Sequence, residues 1–207
     1  CIVVSDHEKK MNEDQIRVYN RVIQAVFSTT HKSTLFFLDG PGGTGKTFVY
    51  NTILAKIRSI GNVALAVASS GIAAELLDGG RTAHSRFKIP IPILDTSTCN
   101  IPIQSSLAEL IRIASIIIWD EAPMMHRYVF ECVHRTLCDI MKSDNPFGGK
   151  IVLLGGDFRQ VLPVIRHGSQ ANVIFSSLQH SFLWTHVCKL HLTINMRVHN
   201  RSVFIKC

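Results

Sequence analysis

The chain has 207 residues, 46% of them hydrophobic, with a net charge of +7 and a pI near 9.3. That size and apolar content suit one large α/β domain with a sizeable core, and no apolar run reaches the length of a membrane span. The basic balance suits an anionic partner such as nucleic acid. The six cysteines contain no C-x-x-C pair and read as reduced thiols of an intracellular protein. Cys1 stands where a full reading frame would begin with Met, so the chain is expected to be an internal piece of something longer.

Taken in order, Asn12 is placed to cap a helix whose apolar residues Ile16, Tyr19, Val22, Ile23, Val26 and Phe27 recur at helical spacing. A buried strand is expected over residues 34–38, then a Gly-rich turn and a helix to about residue 58, ended by Gly61. Residues 63–68 read as a second strand. A short helix at 72–77 stops at Asp78-Gly79-Gly80. Residues 88–104, with Pro90, Pro92 and Pro102, read as an irregular surface excursion. A helix at 106–114, a strand at 115–119 and a long helix at 128–141 follow, the last broken by Asn145-Pro146-Phe147-Gly148-Gly149. Strands are expected again at 150–154 and 187–192. Short strands alternating with helices predict an α/β fold with a mainly parallel sheet covered on both faces. Ligands of such sheets bind beyond the carboxyl ends of the strands.

The chemistry falls at those ends. Residues 40–47 read G-P-G-G-T-G-K-T, the phosphate-binding pattern of P-loop proteins between an apolar strand and an apolar helix. Gly42, Gly43, Thr44 and Gly45 form a loop whose backbone N–H groups can face an anion, with the helix N-terminus adding partial positive charge. Lys46 is placed to reach the β- and γ-phosphates of ATP, and the Thr47 hydroxyl to hold Mg²⁺. Ile116-Ile117-Ile118-Trp119 ends in Asp120 and Glu121. Two acids at a buried strand end are costly unless something offsets them. Asp120 fits a metal-holding acid and Glu121 the group that orients and deprotonates water. A second apolar strand leads to Asp157, Phe158, Arg159 and Gln160. Gln160 fits a γ-phosphate sensor. Asp157 and Arg159 either relay nucleotide state or pair with each other, pairing being preferred for Arg159. His134 with Cys138, and His186 with Cys188 and His191, lack zinc-finger spacing and read as core thiols and surface imidazoles.

These motifs, together with Pro146-Phe147-Gly148-Gly149-Lys150, resemble in order and spacing the Pif (petite integration frequency) family of DNA helicases, in its plant and Helitron-transposon form. The resemblance covers Met11-Asn12-Glu13-Asp14-Gln15, the segment from Gly80 to Phe87, and Asn195-Met196-Arg197, and so spans residues 11–198. It implies a RecA-like P-loop NTPase domain, with residues 1–10 and 199–207 flanking it, and ATP hydrolysis coupled to 5′-to-3′ movement on single-stranded DNA. Gln15 would read adenine, Gln160 the γ-phosphate, and Arg197 the transition-state charge. Arg81, Thr82, His84, Ser85, Arg86 and Phe87 would meet DNA. Arg81, His84, Arg86 and Lys88 supply charge, and Phe87 offers a ring for a base. The implied cofactors are ATP and Mg²⁺. The implied partners are single-stranded DNA and duplex junctions, with no membrane. A monomer in the nucleus, or in the mitochondrion, serving repair, recombination or telomere maintenance, is expected.

The family's second RecA-like half has no counterpart after Arg197. The isolated chain is therefore expected to bind nucleotide weakly, hydrolyse it slowly and unwind no duplex. The competing expectations are a truncated or transposon-derived remnant that binds without turnover, and a P-loop ATPase acting on something other than nucleic acid.

Overall fold

In β1 (Leu35–Asp39), Leu35 and Phe37 enter one apolar core while Phe36 and Leu38 enter another. A strand buried on both faces divides its side chains in this way because successive residues point to opposite sides. The same division runs through β2 (Val63–Ala68), β4 (Ala114–Asp120) and β5 (Val152–Gly156), where Val67, Trp119 and Leu154 share the core of Phe37 and Ala66, Ile118 and Leu153 that of Phe36. With β3 (Arg81–Thr82) and β6 (Cys188–His191) they form one six-stranded sheet in the order β3-β2-β4-β5-β1-β6. Every ladder in it is parallel. The computed structural model describes residues 2–28, 34–160, 163 and 169–196.

Helices α1 (Ile2–Lys10), α2 (Glu13–Phe27), α3 (Lys46–Ser59) and α4 (Gly71–Glu75) lie on the Phe36 side. Asn12 starts α2 with a reciprocal capping box: its side chain accepts from Gln15 N–H, and the Gln15 side chain accepts from Asn12 N–H. Residues 2–10, expected as a flanking segment, pack α1 on α3, where the His7 and Phe48 rings lie 5.2 Å apart. The opposite core is covered by α5 (Ala83–Phe87), α6 (Ser106–Ile113) and α7 (Arg127–Met141). After α8 (Gln170–Ser176), short 3₁₀ turns add Leu178 and Leu183 to it.

Strand ends differ from expectation by one or two residues, for reasons of pairing. β1 and β5 continue to Asp39 and Gly156, which are register partners, so the polar cluster begins only at Asp157. Lys150, expected to open β5, instead turns inward, and its ammonium donates to Arg112 O (2.5 Å) and Ala114 O (2.9 Å). The segment 88–104 has no helix or strand, as expected, but it is pinned to α7. Cys99 N–H donates to Thr136 Oγ1 at 2.8 Å, and Arg135 donates twice to Ser97 O. His134 Nδ1 accepts the Phe147 N–H at 3.0 Å, a packing role. Among the described residues no three metal-binding side chains cluster, and no helix is long and apolar enough to cross a membrane.

Candidate nucleotide and nucleic-acid sites

The loop from Gly40 to Gly45 joins β1 to α3. Gly43 and Gly45 adopt φ of +90° and +83°, a region costly for any residue with a Cβ. Thr44 closes the turn, its hydroxyl donating to Pro41 O at 2.9 Å. The first N–H groups of α3 have no partner within the helix and open toward the loop. Lys46 Nζ folds back onto Gly40 O at 2.6 Å. Gln15 is buried, not surface-exposed, and its Nε2 donates to Thr44 O at 3.0 Å. The residue expected to read adenine is therefore built against the phosphate loop from α2.

Asp120 closes β4 and is 3% exposed. Burial, with the neighbouring charge of Glu121, pushes its carboxyl up to about 6, against a hydrogen bond from Glu121 N–H and the pull of Lys46. The Glu121 N–H reaches Asp120 Oδ1 at 2.8 Å. Glu121 itself has left-handed backbone (φ 54°, ψ 35°), a strained conformation for a residue with a side chain. Burial disfavours the ionised form of Asp120, and a divalent cation beside the carboxylate would offset that cost. Thr47, Asp120 and the phosphate loop fit Mg²⁺-nucleotide on those grounds.

Gln160 lies across the loop, its Nε2 3.3 Å from where a Cβ on Gly42 would stand. The same amide donates to Asp157 Oδ2 at 2.9 Å. Asp157 also accepts from Arg159 N–H and Nε, at 2.9 and 3.0 Å. Burial alone would raise its carboxyl, but these bonds from Arg159 and Gln160 hold it below the usual range. The pairing expected of Arg159 is what the structure has. Arg197 lies outside the described residues; Met196, just before it, donates its N–H to Gly43 O at 2.9 Å.

The basic segment needs a correction. Phe87, expected to stack on a base, is fully buried, its ring 5.7 Å from that of Trp119. In the single turn of α5, positions four apart share a face, and Ala83 and Phe87 form the inner one. The Thr82 hydroxyl caps α5 by accepting Ser85 N–H. His84 is half-buried, and burial lowers its imidazole, so it supplies less charge than expected. Arg81, Ser85, Arg86 and Lys88 remain together, lining a cavity of about 430 Å³ with Ser106 and Leu110 of α6. Burial and the charges of Arg81 and Arg58 lower the Arg86 guanidinium, and Arg86 Nε has no partner among the described residues.

The family model for PIF1-like helicase matches residues 10–204. The chain belongs to that family. Among curated relatives, it is 30% identical over 149 residues to the ATP-dependent DNA helicase Pif1 of a Psychrobacter species, covering 71% of this chain and 22% of that protein. To the ATP-dependent DNA helicase RRM3 of Saccharomyces cerevisiae it is 32% identical over 157 residues, 74% of this chain and 21% of that protein. Among solved structures, Pif1 helicase from Bacteroides in complex with ADP-AlF3 and ssDNA superposes with a TM-score of 0.75 at 26% identity, over 90% of this chain and 42% of that one. This PIF1-like chain thus has the RecA-like P-loop fold and spans about a fifth of those curated relatives.

Two residues of this PIF1-like site have contacts that no local pattern shows. Asp14 binds Thr193, 179 residues away, and only the fold brings them together. Tyr50 is buried beneath Asp120 and Glu121, and its hydroxyl lacks a partner among the described residues. An apolar ring on a helix gives no hint of that.

Proposed function

We propose that the chain is the first RecA-like motor domain of an ATP-dependent DNA helicase, hydrolysing Mg-ATP to drive 5′-to-3′ movement on single-stranded DNA in genome maintenance. The observation that carries this reading is the convergence of three strand ends. The phosphate loop follows β1, the buried Asp120 ends β4, and Gln160 after β5 lies across Gly42.

In this reading Lys46 leaves Gly40 O for the β- and γ-phosphates, and loop N–H groups take the remaining phosphate oxygens. Thr47 and Asp120 hold Mg²⁺, which neutralises phosphate charge when bound. Glu121 orients a water and takes its proton. Gln160 reports on the γ-phosphate, Gln15 reads adenine, and Arg197 meets the transition-state charge. Arg81, Ser85, Arg86 and Lys88 hold the DNA backbone. The cavity they line, with no acid among its described walls, supports that role.

Glu121→Gln tests the reading, measured in the intact protein with single-stranded DNA present. ATP turnover is expected to fall by about 10²–10⁴, the usual worth of a positioned general base, with nucleotide affinity retained. Undiminished turnover overturns the assignment.

A further inference from the structure

The exit from β6 is tied to the phosphate loop by a route that joins residues 179 positions apart. Asp14 Oδ2 accepts from the Thr193 backbone N–H at 3.0 Å and from the Thr193 hydroxyl at 2.6 Å. Its Oδ1 accepts from Arg17 at 2.6 Å. Those bonds, from Thr193 first, hold the carboxyl below the usual range, so it is an ionised acceptor of strong hydrogen bonds. Three residues beyond Thr193, Met196 N–H donates to Gly43 O at 2.9 Å, and Asn12 Nδ2 meets Met196 Sδ at 3.1 Å. From the other side, Gln15 Nε2 holds Thr44 O. Two consecutive carbonyls of the loop are therefore gripped by donors that the start of α2 places. One grip is direct, and the other passes through residues 193–196.

We propose that Asp14 is a positioning residue for nucleotide hydrolysis: by holding Thr193 it fixes residues 193–196 on Gly43, and so anchors the segment that leads in sequence to Arg197. The inference rests on the proposed role of Arg197 in steadying the transition state. Asp14 touches no reacting atom, since Thr193 and Arg17 occupy its carboxylate. Misplacing a catalytic group by about 1 Å can cost roughly 10²-fold in rate. Loosening the segment should therefore act on turnover and spare nucleotide affinity.

The test measures DNA-stimulated ATP turnover and equilibrium binding of a fluorescent ATP analogue in the intact protein. The variants are Asp14→Ala, Thr193→Val, Arg197→Ala and the two double mutants with Arg197→Ala. Thr193→Val removes only the hydroxyl donor and keeps the backbone N–H, so it remains informative if Asp14→Ala folds poorly. Turnover should fall about 10- to 100-fold in Asp14→Ala and less in Thr193→Val, with affinity held within about threefold. Each double mutant should turn over no more slowly than Arg197→Ala alone, because residues acting as a unit are non-additive. Additive losses, or an affinity loss that matches the turnover loss, overturn the positioning role while leaving the motor reading intact. A wild-type protein with no DNA-stimulated turnover overturns both.

Discussion

The carboxyl ends of the strands carry a nucleotide edge and a basic edge, and the two are built on opposite plans. At the nucleotide edge the polar groups are held by one another: Lys46 on Gly40 O, Gln15 on Thr44 O, Asp120 on the Glu121 N–H, Gln160 on Asp157. At the basic edge, Arg81, Ser85, Arg86 and Lys88 line a cavity with no acid among its described walls, and Arg86 Nε lacks a partner among the described residues. The first edge is preorganised by the protein. The second is a field of charge that a polyanion would complete. Preorganisation needs fixed backbone spacing and so leaves a motif, whereas a charge field leaves only composition.

The largest effect that can break this comparison is at Phe87, which belongs to the core of the basic edge and not to its surface. Phe87→Ala should cost about 3–5 kcal/mol of stability, read by urea denaturation. The folded fraction should bind single-stranded DNA as before. Arg86→Ala should do the reverse, sparing stability while weakening DNA binding and reducing the salt slope by about one. If Phe87→Ala instead loses DNA affinity at full stability, the ring is on the surface and the two edges are less different than described.

Much of this was legible in the sequence, and the failures have a pattern. The phosphate loop, the acids after Trp119 and the capping box at Asn12 are local, so spacing alone finds them. Phe87 misled because its neighbours Arg86 and Lys88 are basic, and the one-turn helix that turns the ring inward depends on β3 pairing with β2. Lys150 reads as a strand residue until Arg112 of α6 and Ala114 of β4 supply the carbonyls that take its ammonium. Asp14 and Thr193 are separated by 179 residues, and no local pattern could couple them. Gly155 reads as part of a polar loop, but it is a strand residue without a side chain because the Tyr50 hydroxyl fills the space its Cβ would take.

The next effect concerns the cost of preorganisation. With its ordinary value at 3.8 and its folded value at about 6, Asp120 binds a proton in the folded state that the unfolded chain has already released. The ionised carboxylate thus costs nothing below about pH 4, and its full cost of roughly 3 kcal/mol is reached above pH 6. Asp120→Asn should therefore raise stability at pH 7, raise it little at pH 4, and weaken the Mg²⁺ dependence of nucleotide binding. Chemical denaturation at the two pH values checks this. A variant destabilised at pH 7 would mean that Asp120 is held as a structural acid, and the nucleotide edge would lose its mark of a site awaiting a cation.

The smallest effect sharpens the comparison by testing its exception. Tyr50 lies at the nucleotide edge, yet its hydroxyl is buried and has no partner among the described residues. Burial, then the charges of Asp120 and Glu121, drive its ionisation far above the usual range, so it keeps its proton. A buried hydroxyl without a partner costs about 1–3 kcal/mol. Tyr50→Phe keeps the ring and removes only the orphan hydroxyl that stands over Gly155. It should stabilise the nucleotide-free protein by about 1 kcal/mol, a rise of roughly 2–4 °C in a domain of this size. Thermal unfolding without nucleotide reads the sign directly. A fall in stability would mean that the hydroxyl has a partner in solution, such as an ordered water, and that the nucleotide edge is satisfied throughout.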